Sequence, residues 1–99
     1  MARMLTAALV SVSERAEPEY LQTVARLATR LGGRGTRLWL FRSADDPRAF
    51  LEFRECGWPG TPAPVTDEER SLDGRLRALA VYAEADRHWH EVALPAVKE

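Results

Sequence analysis

Cysteine is almost absent from this sequence, in which Cys56 is the single example among 99 residues. A disulfide within the chain is therefore excluded, and so is a metal site built from several thiolates. A domain of this size buries a small core and needs further support, which association with a second copy would supply. We therefore expect one domain, spanning residues 1–99, that works as a homodimer.

Long apolar runs and an excess of one charge are also missing. No stretch approaches the ~20 apolar residues that a membrane helix requires. The 14 Lys and Arg residues are interleaved with 15 Asp and Glu residues, so the basic surface that nucleic-acid binding requires is absent. Residues 11–14 interrupt the apolar start of the chain too early for a signal peptide. These features predict a cytoplasmic protein without nucleic-acid or membrane partners.

Apolar periodicity predicts the first strand and the first helix. From Leu5 to Val12 both alternating sets of residues are mostly apolar or small, as in a strand covered on both faces. Pro18 suits the first turn of a helix, and Gly32-Gly33 suits its end. Apolar residues recur between them at helical spacing, which indicates an amphipathic helix on a core. The predicted buried stripe comprises Leu21, Val24, Ala25, Ala28 and Leu31.

Two alternating segments, at residues 37–42 and 50–55, predict a hairpin. The residues between them include Asp, Ser and Pro, which favour a turn. We expect Phe41 to pair with Phe50, which leaves one face with aromatic rings among charges, a poor surface to expose to water. In that register Leu38, Leu40, Leu51 and Phe53 share the helix-facing side, and Arg37, Trp39, Phe41, Phe50, Glu52 and Arg54 share the other.

The remaining segments complete a β-α-β-β-α-β order. Three prolines and two glycines make residues 57–64 a surface loop. Thr66 and Glu69 form a capping box that begins a second helix, which we expect to end near Asp86. Residues 88–94 alternate as a last strand. The stripe of the second helix comprises Leu72, Leu76, Leu79, Ala80 and Ala83, with Tyr82 at its border.

This order of elements predicts an α+β, ferredoxin-like fold, with a four-stranded antiparallel sheet and two helices on one face. The other sheet face would carry Trp39 and Phe41 and would need a cover from outside the chain. A second copy is the simplest cover, so we expect the homodimer to form through this open sheet face.

The hairpin at residues 40–53 resembles that of the antibiotic-biosynthesis-monooxygenase-like proteins. The resemblance implies a ferredoxin-like domain that pairs into a dimeric α/β barrel. That superfamily includes cofactor-free quinone-forming monooxygenases, haem-degrading enzymes and many proteins of no established function. Its enzymatic members rely on an active-site asparagine, and this chain contains no asparagine. No family catalytic residue can therefore be carried over.

Two histidines, His88 and His90, are two residues apart on the predicted last strand and would project to the same side. This spacing occurs in metal sites, but a third ligand would have to come from Glu52, Cys56 or Glu91. Nothing in the sequence brings these residues together, so we predict no metal site. An imidazole acting as general base is a separate hypothesis.

Glu52 is the most interesting carboxylate, because it falls on a predicted central strand among aromatic residues rather than in solvent. A carboxylate in apolar surroundings can act as a general base. The alternative is an ion pair with Arg37, Arg54 or an arginine of a second subunit, and we favour this alternative.

Two classes of function follow. One is a monooxygenase-like site without cofactor, acting on a small aromatic or quinone-type substrate with Glu52 or His90 as base beside Trp39. The other is a non-catalytic dimeric module that binds a small ligand or a protein partner, which the missing asparagine favours. The candidate ligand-binding residues are Trp39, Phe41, Glu52, His88 and His90.

Overall fold

The computed structural model describes residues 4–33, 35–56, 66–83 and 87–97. The predicted loop at residues 57–64 lies outside the described residues. None of the helices in the described ranges is long and apolar enough to cross a membrane. The elements are β1 (Met4–Ser11), α1 (Glu17–Gly32), β2 (Arg37–Arg42), β3 (Ala49–Cys56), α2 (Asp67–Leu79), β4 (Val81–Tyr82) and β5 (Arg87–His90).

The strands form one antiparallel sheet in the order β2-β3-β1-β4, and β5 also pairs with β1. Along its full length β1 pairs with β3. On its other side, β1 pairs with β4 at Val10 and Ser11 and with β5 from Met4 to Ala7. Since β4 and β5 share one edge, the described sheet is four strands wide. The predicted ferredoxin-like fold, with strands one and three central, is therefore confirmed.

The second helix and the last strand differ from their predicted bounds. A helix was expected to continue to Asp86, but α2 ends at Leu79 and Ala80 is already extended. Tyr82 therefore lies in β4, because the β-branched and aromatic pair at 81–82 fits the edge of β1 better than another helical turn. The last strand was expected at residues 88–94, whereas β5 ends at His90, and residues 91–97 have no regular secondary structure.

The hairpin register is shifted by one residue from the prediction. Phe41 pairs with Leu51, and Arg42 pairs with Phe50. The turn sets this register, because the Ser43 N–H donates to the Ala49 carbonyl at 2.8 Å. A slip of one residue moves every side chain of a strand to the opposite face. The corrected assignment places Phe50, Glu52 and Arg54 on the helix-facing side, and Leu51, Phe53 and Glu55 on the open face.

The core lies between the helices and the sheet, and α1 presents a slightly different stripe to it than predicted. Leu21 is 37% exposed, whereas Tyr20 and Leu27 are fully buried. Val24 and Leu31 face the core as expected. The buried hydrophobic cluster comprises Ala8, Val10, Val12, Tyr20, Val24, Leu27, Leu31, Phe50 and Leu76.

Candidate functional site

A buried carboxylate lies between α1 and the sheet. Glu52 is 3% exposed, and its Oε2 atom accepts hydrogen bonds from the hydroxyls of Tyr20 at 2.6 Å and Tyr82 at 2.7 Å. Burial is the main cause, and the hydrogen bond to Glu52 the second, that raises the pKa of each of these two phenols above its ordinary value. Helix α1 and strand β4 thus each contribute one proton donor to a single carboxylate oxygen on β3.

An arginine and an aspartate extend this buried cluster towards α2. The Arg54 guanidinium donates to both carboxylate oxygens of Asp73, with Nη2 2.6 Å from Oδ1 and Nη1 3.3 Å from Oδ2. Burial alone would lower the pKa of Arg54, but the hydrogen bonds and charge of Asp73 outweigh it and leave the pKa raised. The Nη2 atom also lies 4.0 Å from Glu52 Oε1. The favoured expectation for Glu52, an ion pair with an arginine, agrees with this contact, although Arg54 interacts mainly with Asp73.

The space beside the Glu52 cluster is too small for an organic ligand. A cavity of about 10 Å³ is lined by Thr6, Ala8, Glu52, Arg54, Arg77 and Tyr82. This volume corresponds to about one water molecule. Glu52 is therefore a polar residue of the core, held by hydrogen bonds from two other elements, rather than a wall of a binding site.

The open face of the sheet contains a concavity of about 570 Å³. Its walls are mainly apolar and come from four strands. Trp39 and Trp89 stand on the two edge strands, and Leu5 and Phe53 lie on the central pair. The complete lining consists of Leu5, Trp39, Phe41, Phe53, Glu55, Trp89, His90 and Glu91.

Ring geometry gives this concavity flat walls. Phe41 and Phe53 pack edge to face, with ring centroids 5.6 Å apart and an angle of 80° between the planes. The Arg37 guanidinium lies 4.9 Å from the centroid of the Trp39 ring, in a cation–π contact. Trp89 lies on the far side and is 53% exposed. The arrangement offers aromatic faces and edges to a ligand, with polar groups at one end.

The structure brings together three of the five candidate residues. Trp39, Phe41 and His90 line the concavity. Glu52 lies on the opposite side of the sheet, because the register shift moves its side chain to the helix-facing side. His88 pairs with Thr6, which lies on the same face of β1 as the buried Ala8 and Val10, and it does not line the concavity.

Sequence reasoning missed several residues of the concavity, among them Phe53, Glu55 and Trp89. The register shift explains Phe53 and Glu55, because both change face with the rest of β3. Trp89 was available from the sequence, since it alternates with the two histidines on the last strand and pairs with Leu5.

The histidine pair does not form part of a metal-binding cluster in the described residues. No group of three or more His, Cys, Asp or Glu side chains converges within residues 4–33, 35–56, 66–83 and 87–97. His88 and His90 are both exposed on the edge strand β5. Glu52 is buried with Tyr20 and Tyr82 and so cannot join them.

Comparison with known proteins reveals similarity at the level of structure. No family model matches the chain, and no curated protein matches it. A conserved protein of unknown function and possible oxidoreductase from Bacteroides thetaiotaomicron superposes with a TM-score of 0.70 at 15% identity, covering 91% of this chain and 97% of that one.

Two further structures carry descriptions of activity. SnoaB, a cofactor-independent oxygenase from Streptomyces nogalater, superposes with a TM-score of 0.66 at 16% identity, covering 98% of both chains. An antibiotic biosynthesis monooxygenase gives a TM-score of 0.62 at 16% identity, covering 96% of this chain and 100% of the other. The chain therefore has the ferredoxin-like fold of the antibiotic-biosynthesis-monooxygenase-like structures, and the resemblance inferred from the hairpin is confirmed at the level of the fold.

Proposed function

We propose that this chain is a non-catalytic, homodimeric module that binds a small, flat, apolar molecule in the concavity of the open sheet face. The observation that carries the proposal is the lining, in which four aromatic rings and one leucine surround about 570 Å³. Small-molecule sites have volumes of roughly 300–1,000 Å³, mostly apolar walls and a few polar groups that orient the ligand.

The apolar row beside the concavity supports the homodimer. Leu9, Leu51 and Phe41 lie side by side on three neighbouring strands, since Leu51 pairs with both of the others. They are 36%, 38% and 55% exposed, respectively. A two-fold axis would bring the same row from a second copy onto this one, so that each apolar surface covers the other.

A non-catalytic role is favoured by the position of Glu52, the strongest candidate base. Its carboxylate accepts two phenolic hydrogen bonds beside a cavity of about 10 Å³. A general base must come within hydrogen-bonding distance of the proton that it removes. A substrate in the concavity would be separated from Glu52 by the sheet itself.

The direct test of ligand binding uses a neutral probe of two fused rings, 1-naphthalenemethanol. We expect it to shift the indole NMR signals of Trp39 and Trp89 and to leave the backbone signal of Val81 unchanged. Trp39→Leu should weaken binding about two- to tenfold, because it removes a ring–ring contact. Val81→Ala, an exposed apolar position outside the concavity, is the matched control. Indole signals that stay constant up to the solubility limit of the probe would contradict the proposal.

A cofactor-independent monooxygenase is the second candidate function. Two observations favour it: His90 and Trp39 line the same concavity, and one structure of the same fold is a cofactor-independent oxygenase. In this alternative His90 takes a proton from a hydroxyarene, and dioxygen oxidises the ring to a quinone, with water as the second product. Oxygen consumption with naphthols that disappears in His90→Gln would support this alternative over the first proposal. The cytoplasmic location expected from the sequence remains part of both, and fractionation of host cells tests it.

A further inference from the structure

We propose that the ligand of the concavity carries a positive charge, as an ammonium or other organic cation attached to a flat apolar body. This inference rests on the proposed function and names the chemical class of its ligand. It is drawn from three features of the concavity, which are its charged groups, its aromatic faces and a cation already bound to one of them.

The charged groups that line the concavity are acids. Glu55 and Glu91 are the acidic residues of the lining, His90 is its one histidine, and no arginine or lysine is among the described lining residues. Both acidic residues also interact with other groups of the chain. A carboxylate offers roughly four lone-pair sites, so such an interaction leaves room for a ligand cation as well.

The aromatic walls favour the same sign of charge. The face of an aromatic ring is the negative end of its quadrupole and attracts cations, and tryptophan is the strongest of the three aromatic side chains. Trp39 and Trp89 form opposite walls of the concavity. A ligand between them would lie against two indole rings and within reach of the carboxylates.

Arg37 demonstrates this preference within the chain. Its guanidinium lies 4.9 Å from the centroid of the Trp39 ring. Arg37 also pairs across the strands with Glu55, one of the two acids of the wall. Arg37 is not among the lining residues, but its positive charge lies close to the ring and to the acidic residue that a ligand cation would use. Removal of this arginine should therefore strengthen the binding of a cation and weaken the binding of an anion.

The test uses three probes of one shape and different charge, which are 1-naphthylmethylammonium, 1-naphthalenemethanol and 1-naphthoate, each measured by calorimetry at pH 7.5. We expect the cation to bind about two- to thirtyfold more tightly than the neutral probe, and the anion to bind most weakly. Equal affinity for cation and neutral probe, or tighter binding of the anion, would overturn the inference and leave the proposed function intact. Absence of binding by all three would overturn both.

Variants of the polar groups locate the preference. Glu91→Gln should reduce the ratio of cation to neutral affinity, whereas Glu14→Gln, an exposed acid outside the concavity, should leave it unchanged. Arg37→Gln should raise that ratio about two- to fivefold, because it removes a positive charge close to the concavity. Both residues are exposed, so these variants should fold. A ratio that stays constant in both variants would overturn the assignment of the cation to this concavity.

Discussion

Alkaline pH should unfold this protein, and its tyrosines should ionise only as it unfolds. The chain contains two tyrosines, Tyr20 and Tyr82, and both donate hydrogen bonds to Glu52 Oε2. Burial, and then the hydrogen bond to a carboxylate, raises the pKa of each phenol above 10.0. Ionisation of either hydroxyl in the folded protein would remove a donor from Glu52 and place a second negative charge beside it.

The size of the effect follows from the protons bound by each state. In the unfolded chain each phenol ionises near pH 10, whereas in the folded chain it stays protonated well above that. The stability due to the raised pKa is fully present below pH 10 and is lost as the pH rises further. At pH 11 the loss is about 1.4 kcal/mol for each tyrosine and about 3 kcal/mol for both, out of a total of roughly 5–15 kcal/mol for a typical domain. Other groups add little, because the sequence has one lysine and arginines remain protonated.

The assay follows tyrosinate absorbance at 295 nm and far-ultraviolet circular dichroism in one titration. The two signals should change together above pH 10, in a single transition. Stability measured in urea should fall by about 2.7 kcal/mol per pH unit above pH 10, and by about half of that in Tyr20→Phe or Tyr82→Phe. Half of the tyrosinate absorbance appearing near pH 10 while the dichroism remains native would refute the reasoning.

Two further predictions concern the core and the dimer. Glu52→Leu should lower the free energy of unfolding, measured in urea, by about 3–6 kcal/mol, because two hydrogen bonds to a charged acceptor disappear and their hydroxyls remain buried. Glu52→Gln retains an acceptor and should lower it less. A larger loss in Glu52→Gln than in Glu52→Leu would contradict the geometry of the cluster. Sedimentation at micromolar concentration should detect a dimer of the wild-type protein. Leu51→Asp should dissociate this dimer, whereas Arg26→Glu, on the exposed side of α1, should leave it intact. A wild-type monomer independent of concentration would refute the homodimer.

Features determined by residues close together in the chain could be predicted from the sequence. The bounds of β2 were predicted as they are found, because its alternation and the following turn lie within a few residues. The capping box is present as predicted on the Thr66 side, whose hydroxyl accepts from the Glu69 N–H at 3.2 Å. Both signals depend only on residues close together in the sequence. The order of the helices and strands identified in this way was enough to predict the fold.

Features that depend on distant partners were missed. The predicted stripe of α1 does not include Tyr20, which the structure buries. Its hydroxyl bonds to a carboxylate 32 residues away. The prediction that Tyr82 lies in a helix was wrong because its strand, β4, is two residues long and is formed by pairing with β1, a distant segment of the chain.

The register of β3 decides which of its side chains face the core, and this register depends on partners that lie on other elements. Its two alternating sets are Phe50, Glu52 and Arg54 on one side, and Leu51, Phe53 and Glu55 on the other, and the second set is the more apolar. Hydrophobic patterning therefore directs the second set to the core, yet the structure places the first set on the helix-facing side. The first set can be buried because Glu52 receives two phenols, and Arg54 finds Asp73, a residue 19 positions along the chain. Burial of a charge depends on such partners, which local patterning cannot supply. The same shift takes Glu52 out of the concavity and puts Glu55 into it, which replaces an expected base with an acid that attracts a cation.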